Sequence, residues 1–177
     1  MNARQEIVIQ YGCHELAYPR NRTIRKALEL GGYKVLVCHS RKPYPLRHLS
    51  LLRQLFPIRN KANWIWVSEG GYRLVLVLRI FLLLSGSKSK IVYDPFVSRY
   101  DTYVLDRKKI SSNSLNAWIM KWHDAIPTWA SHALIFDTRH HQKYFYSQYK
   151  LRKPCLILPC STSRFQQLAG RDGSKHR

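Results

Sequence analysis

Residues 64–93 read WIWVSEGGYRLVLVLRIFLLLSGSKSKIVY, and their pattern decides the fold. Trp64 to Val67 is a short apolar run of β-formers, too brief for a helix and bounded by Ser68-Glu69-Gly70-Gly71. Gly71 to Leu84 is apolar over a helical length, and a Ser/Gly/Lys turn then leads to a second short run, Lys90 to Tyr93. Neither run alternates apolar with polar residues, so both belong to strands covered on two faces. Such strands, joined by a helix, form a parallel βαβ unit. Leu74 to Leu84 is accordingly expected to be a buried crossover helix.

The same rhythm extends in both directions. Glu6 to Tyr11 reads as a strand closed by Gly12, and Tyr18 to Leu30 as a helix that starts near Pro19 or Asn21 and stops at Gly31-Gly32. Lys34 to His39 (KVLVCH) is the next strand. Ser40 to Asn63 carries Pro43, Pro45 and Pro57, which predicts a loop with one helix from Leu46 to Leu55. Beyond the unit, Pro95 to Ser112 reads as a polar loop and Leu115 to Ala130 as a helix kinked or broken near Pro127. Ala133 to Phe136 (ALIF), a helix from Arg139 to Tyr149, and Cys155 to Leu158 (CLIL) complete the pattern. It predicts one α/β domain over residues 1–165, a doubly wound Rossmann-like fold with a mostly parallel sheet of about six strands. Residues 166–177 read as a polar, frayed tail.

Composition narrows the function classes. The 177 residues carry 30 Lys+Arg against 10 Asp+Glu, a formal charge of +20, yet 45% are hydrophobic and 12% aromatic, which excludes a disordered basic tail. A basic globular surface suits nucleic acid, an anionic membrane or phosphorylated substrates. Cys13, Cys38, Cys155 and Cys160 are too few and too scattered for a disulfide framework. The apolar stretch Leu74 to Leu84 would reach about 16 Å as a helix, about half of a bilayer core. The first residues lack a signal-peptide apolar segment. A cytoplasmic protein is expected, with peripheral contact at the inner face of a membrane as an option.

A doubly wound sheet binds ligands in a crevice at the carboxyl ends of its strands. The segments expected there are Gly12 to Glu15, His39 to Pro45, Ser68 to Gly71, Asp94 to Arg107, Asp137-Thr138 and Cys160 to Ser163. Neither GxGxxG nor GxxxxGK[ST] occurs in them, which disfavours a nicotinamide or flavin cofactor and a P-loop nucleotide; no cofactor is expected. Cys13-His14 and Cys38-His39 end neighbouring strands but lack CxxC or HxxxH spacing, so no metal is expected either. Ser98, His123 and Asp124 could be written as a nucleophilic triad, but no GxSxG elbow accompanies them, and a polar helix face is the simpler reading. The richest crevice segment is Tyr93 to Arg107, with three carboxylates and two arginines after a buried strand; it suits a site for a substrate hydroxyl. Basic residues cluster on the first helix (Arg20, Arg22, Arg25, Lys26) and in the following loop (Arg41, Lys42, Arg47, Arg53, Arg59, Lys61). The second group interleaves with Tyr44, Phe56 and Trp64, a mixture suited to an anionic membrane or single-stranded nucleic acid. A solvated basic face without a specific partner accounts for the charge equally well.

Several runs resemble glycosyltransferases of the GT-B type, close to the family-4 group. These are Tyr18-Pro19-Arg20-Asn21-Arg22-Thr23-Ile24, Ile91 to Ser98 with Tyr100-Asp101-Thr102 and Asp106-Arg107, and Ala133 to Thr138 with His141 and Tyr144-Phe145. The resemblance covers roughly Ile7 to Phe165. It implies the N-terminal, acceptor-binding Rossmann-like half of a two-domain enzyme that transfers a hexose from a nucleotide-sugar donor to a sugar or lipid-linked acceptor, as in cell-envelope polysaccharide synthesis. The family's donor-binding glutamates, eight positions apart, are not matched by Glu6, Glu15, Glu29 or Glu69. At the hand-over, Ser161 stands where the family usually has Gly and Ser163 where it often has Asp. The expectation is therefore an incomplete transferase, truncated or completed by a donor-binding subunit. On this reading Asp94 and Asp101 orient the acceptor hydroxyl and the developing charge. Arg22 and Arg107 meet phosphates, and His14, Glu15, Ser98, Asp106 and Asp137 complete the substrate-binding set. The rival readings are a non-catalytic acceptor-binding module and a basic nucleic-acid-binding protein, the latter without a recognised nucleic-acid module.

Overall fold

Each short apolar run becomes a strand because the residues after it cannot extend it and turn the chain into a helix. In a computed structural model, which describes residues 6–13 and 15–159, the order is β1 (Ile7–Gly12), α1 (Pro19–Leu30), β2 (Lys34–His39), α2 (Leu46–Leu55), β3 (Trp64–Val67), α3 (Tyr72–Leu84), β4 (Lys90–Tyr93), α4 (Leu115–Ala130), β5 (Ala133–Phe136), α5 (Arg139–Tyr149) and β6 (Cys155–Ile157). The six strands form one sheet in the order β2-β1-β3-β4-β5-β6, and every pairing is parallel. The single α/β domain is thus Rossmann-like as expected, with a wholly parallel sheet. The chain steps one way from β1 to β2, then returns past β1 to β3 and continues outward, so β1 and β3 flank the topological switch point.

Right-handed crossovers on either side of that point put α1 on one face of the sheet and α2 to α5 on the other. Side chains confirm the division. Ile24 of α1 packs with Val8, Trp66 and Ile135. On the opposite face Leu51, Leu78, Ala125 and Phe145, one from each remaining helix, pack with Ile9, Ile65, Ile91 and Leu134. The two faces expected to be covered are covered unequally: among the described residues α1 is the sole helix on its side. Beside it an apolar groove of about 560 Å³ stays open, lined by Leu28, Trp64, Val92, Ile135 and Leu158 among others. The same division separates the basic clusters, since α1 and α2 lie on opposite faces.

Three other expectations change. First, α3 is a crossover helix but not a fully buried one: Leu74, Val75, Leu78 and Leu82 form its inner stripe, whereas Leu76, Ile80, Leu83 and Leu84 face outward. No described layer packs over it. Second, of the kink or break expected near Pro127 the break does not occur, since α4 runs on through Pro127 to Ala130. The Thr128 hydroxyl donates to the carbonyls of Asp124 (3.0 Å) and Ala125 (2.8 Å), and the Ser131 amide donates to the Pro127 carbonyl (3.1 Å), so this turn keeps hydrogen-bond partners. Third, the polar loop after β4 contains a π-helical turn, Asp101–Asp106. Among the described residues no helix is long and apolar enough to cross a membrane.

The uneven burial of α3 can be measured. Leu78 is fully buried and Leu83 is 63% exposed. Leu78→Ala is expected to lose about 2–5 kcal/mol in urea denaturation, because it leaves a cavity. Leu83→Ala is expected to stay within about 0.5 kcal/mol of the parent.

Candidate functional site

The β3–α3 turn forms one wall of the switch-point crevice and depends on two glycines. Gly70 adopts φ +71°, and a Cβ on Gly71 would lie 2.5 Å from Val67 Cγ1 and 2.9 Å from the Ser68 carbonyl, so a side chain there would push the turn off its strand. The turn thereby holds Glu69 and Tyr72 beside the end of β4. A cleft of about 380 Å³ results, lined by Glu69, Tyr72, Phe96 and Arg99, with Cys13 after β1 and Asp124 of α4 behind.

Below the cleft lies a buried ion pair. Arg20, in the first turn of α1, donates from Nε to Asp94 Oδ2 (2.7 Å) and from Nη2 to Oδ1 (3.0 Å). Its Nη1 donates to the Leu158 carbonyl (3.0 Å), and Phe96 N–H donates to Asp94 Oδ1 (3.2 Å). Arg20 is 3% and Asp94 0% exposed, so this is a closed bidentate clamp joining α1 to the ends of β4 and β6. Burial pushes the Asp94 carboxyl above its ordinary range, against the pull of Arg20 and of the Phe96 amide. Phe96 itself stands at φ +55° with its ring over the Arg20 guanidinium, 5.3 Å from ring centre to Cζ. A non-glycine residue in that region stores strain.

A second buried carboxylate shapes the outer wall. Asp124 accepts from Ser98 Oγ (2.6 Å), from the amides of Arg99 (3.0 Å) and Tyr100 (2.9 Å), and from the Tyr149 hydroxyl (3.3 Å). It satisfies the amides that open the π-helical turn and so fixes where Arg99 points. The polar-face reading of Asp124 is corrected here, and no triad forms. Ser98 bonds directly to Asp124, while the His123 ring lies 4.9 Å from that of Tyr72, and burial lowers the affinity of His123 for a proton.

The open part of the cleft is held by Glu69, Tyr72 and Arg99. Burial, with the nearby Asp94 charge adding to it and Arg20 opposing it, pushes the Glu69 carboxyl up to about 7. The Arg99 guanidinium lies over the Tyr72 ring, 4.9 Å from its centroid, and Arg99 Nε has no partner among the described residues. A carboxyl poised between its two protonation states, a cation and two aromatic rings (Tyr72 and Phe96) suit a ligand with hydroxyls, an apolar ring face and an anionic group.

The residues singled out from sequence are dispersed around this cleft. Asp94 and Ser98 lie in the buried walls behind it. Asp101, partly exposed, starts the π-helical turn, and its amide donates to Ser98 Oγ (2.9 Å). Asp106 and Arg107 are exposed at the far end of that turn, and Arg22 and Glu15 are exposed at the start of α1. Asp137, just before α5, is paired with His141 in the first turn of that helix (2.6 Å). His14 and the hand-over segment from Cys160 onward lie outside the described residues. Among the described residues no three His, Cys, Asp or Glu side chains gather as a metal site, and burial pushes the Cys38 thiol up to about 11.

Tyr72 was not among the residues singled out, Glu69 and Arg99 were covered only as members of crevice segments, and Asp124 was read as part of a polar helix face. For Asp124 a signal existed: it falls on the inner stripe of α4 with Ala117, Ala125 and Thr128, where an unpaired carboxylate would not be tolerated. For Glu69 it was the lone acid in the loop between WIWV and an apolar helix.

No protein-family model matches the chain, and no curated protein matches it. Among solved structures it is similar to Anabaena Alr3699/HepE in complex with UDP and glucose, with a TM-score of 0.47 and 12% sequence identity over 96% of this chain and 50% of that one. The chain spans about half the length of that protein.

Two outcomes are expected from the carboxylates. Asp94→Asn leaves the buried Arg20 guanidinium without its counter-charge and is expected to lose about 3–5 kcal/mol of stability in chemical denaturation. Glu69 is raised in the folded state from an ordinary 4.5 to about 7, so the stability it contributes is present below pH 4.5 and is lost as pH rises through about 7. In thermal melts across that window, Glu69→Gln is expected to gain on the parent at pH 8 and not at pH 4.

Proposed function

We propose that the chain is the acceptor-binding half of a GT-B glycosyltransferase, acting with a donor-binding domain or subunit on a sugar or lipid-linked acceptor. The observation that carries this reading is the cleft at the switch point, where Glu69 and Arg99 stand beside the rings of Tyr72 and Phe96. The sequence runs that resemble the family-4 group support it, since those around Tyr18 and Asp94 supply the clamp that frames the cleft.

In this reading a sugar ring of the acceptor rests on the aromatic wall, and Arg99 meets its phosphate through charge-assisted hydrogen bonds. Glu69 accepts the proton of the attacking hydroxyl; its position near neutrality suits a base that must take up a proton and release it. The acceptor oxygen bonds to the anomeric carbon, the bond from that carbon to the donor phosphate breaks, and the nucleoside diphosphate leaves from the donor side. Asp94 has a positioning part, holding the β4 loop through Arg20. Asp101, Asp106, Arg107, Arg22, Asp137, Glu15 and His14 are assigned to the crevice rim, where a long acceptor or the donor half would meet them.

Titration of the full chain followed by NMR tests the reading. A short polyprenyl-diphosphate-linked glucose is expected to perturb the resonances of Glu69, Tyr72 and Arg99, and UDP-glucose alone is not. Arg99→Ala is expected to weaken that binding about tenfold or more, the loss of one charge-assisted contact. Turnover of UDP-glucose by the isolated chain would overturn the half-enzyme reading; saturable binding of UDP-glucose with none of the acceptor would overturn the acceptor role.

A further inference from the structure

Charge is distributed unevenly between the ends and the faces of this domain. The four helices on the larger face, α2 to α5, contain a single carboxylate, Asp124, and it is buried. The acids elsewhere in the described chain lie on or before α1 or in the loops after the strands. Arg53, Arg73, Lys121 and Lys143 are all exposed on these helices, so the charge that the described helices expose there is cationic.

The same face is apolar to an unusual degree. α2 exposes Leu46 and Leu49, and α3 exposes Leu76, Ile80 and Leu83. On α4, Trp118, Trp122 and Trp129 form a ridge of edge-to-face pairs with centroids 5.6 and 5.7 Å apart. Trp118 is 58% exposed. Between α4 and α5 the ridge borders an open groove of about 540 Å³, floored by Ala125 and Tyr149 and rimmed by Lys121 and Lys150. Large exposed apolar surface of this kind marks an interaction site.

We propose that the α2–α3–α4 face seats on an anionic lipid bilayer, with the tryptophan ridge at the level of the headgroups and the α3 leucines dipping below it. Tryptophan favours that level because its ring is apolar and its N–H polar; in the ridge the Trp129 N–H donates to the Tyr149 carbonyl (3.0 Å), so Trp118 and Trp122 are the two that meet the headgroups. Lysines and arginines around it meet lipid phosphates, and no exposed carboxylate on the four helices repels them. Aliphatic side chains decide between a bilayer and RNA, because leucine and isoleucine offer bases no stacking surface. The proposal stands independently of the function assigned to the cleft.

Vesicle sedimentation and tryptophan fluorescence of the full chain test it. The chain is expected to bind phosphatidylcholine vesicles containing about one third phosphatidylglycerol, with a blue shift, and to bind pure phosphatidylcholine far less. Lys121→Glu with Lys150→Glu is expected to weaken binding at least about tenfold, and rising salt to weaken it further. Trp118→Ser with Leu83→Ser is expected to abolish the blue shift while the circular dichroism spectrum stays that of the parent. Brominated lipid is expected to quench the unmodified protein, a readout that needs no variant. Absence of binding to the anionic vesicles at low salt, binding unmoved by both variant pairs, or absence of quenching by brominated lipid would each overturn the proposal. So would single-stranded RNA binding at physiological salt without vesicle binding.

Discussion

The bidentate pair between Arg20 and Asp94 is the constraint on which the rest of the molecule rests. An arginine in the first turn of α1 and an aspartate just beyond β4 are 74 residues apart, and both are closed to solvent. Neither charge is tolerable in that position alone, so the two elements must meet wherever the chain folds. Through the third contact of Arg20, to the Leu158 carbonyl, the same pair reaches β6. It thereby fixes α1, the lone helix on its face among the described residues, across a sheet that it covers incompletely.

From that clamp the cleft follows by short steps. Asp94 holds the Phe96 amide, Phe96 turns through a left-handed conformation, and the chain after it is caught by Asp124 from α4. Arg99 is set between those two anchors. Opposite it, the glycine turn after β3 half-buries Glu69 near Asp94, and that burial first, with the Asp94 charge second, raises its proton affinity. The chemistry at the surface is therefore a consequence of two buried carboxylates that do not themselves face solvent. One steadies the inner end of the β4 loop and the other its outer end.

Acidic and basic residues are sorted with the topology. Carboxylates in the described chain concentrate at the strand ends, where a crevice needs them, and are missing from the exposed surface of α2 to α5. Right-handed crossovers place those four helices in one layer, which gathers the outward leucines and tryptophans on one side, among cations and without an exposed carboxylate on the helices.

Run length and flanking turn residues were enough to determine the alternation of strands and helices, because four-residue apolar runs such as WIWV, KIVY and ALIF are too short for helices and too continuous for solvent-facing strands. The parallel sheet and the helices between its strands follow from that. What the sequence could not determine was the partner of each polar residue. Asp94 read as a site residue because it follows a strand, and only the packing of α1 shows its oxygens taken up by Arg20. Asp124 read as helix surface, and only the approach of the β4 loop makes it a buried cap. Glu69 and Arg99 come together because β3 and β4 are neighbours, which depends on strand order. Local pattern reports whether a residue prefers water or protein; which residue it meets across the chain is decided by the tertiary fold, since the free energy of a charge depends on what surrounds it.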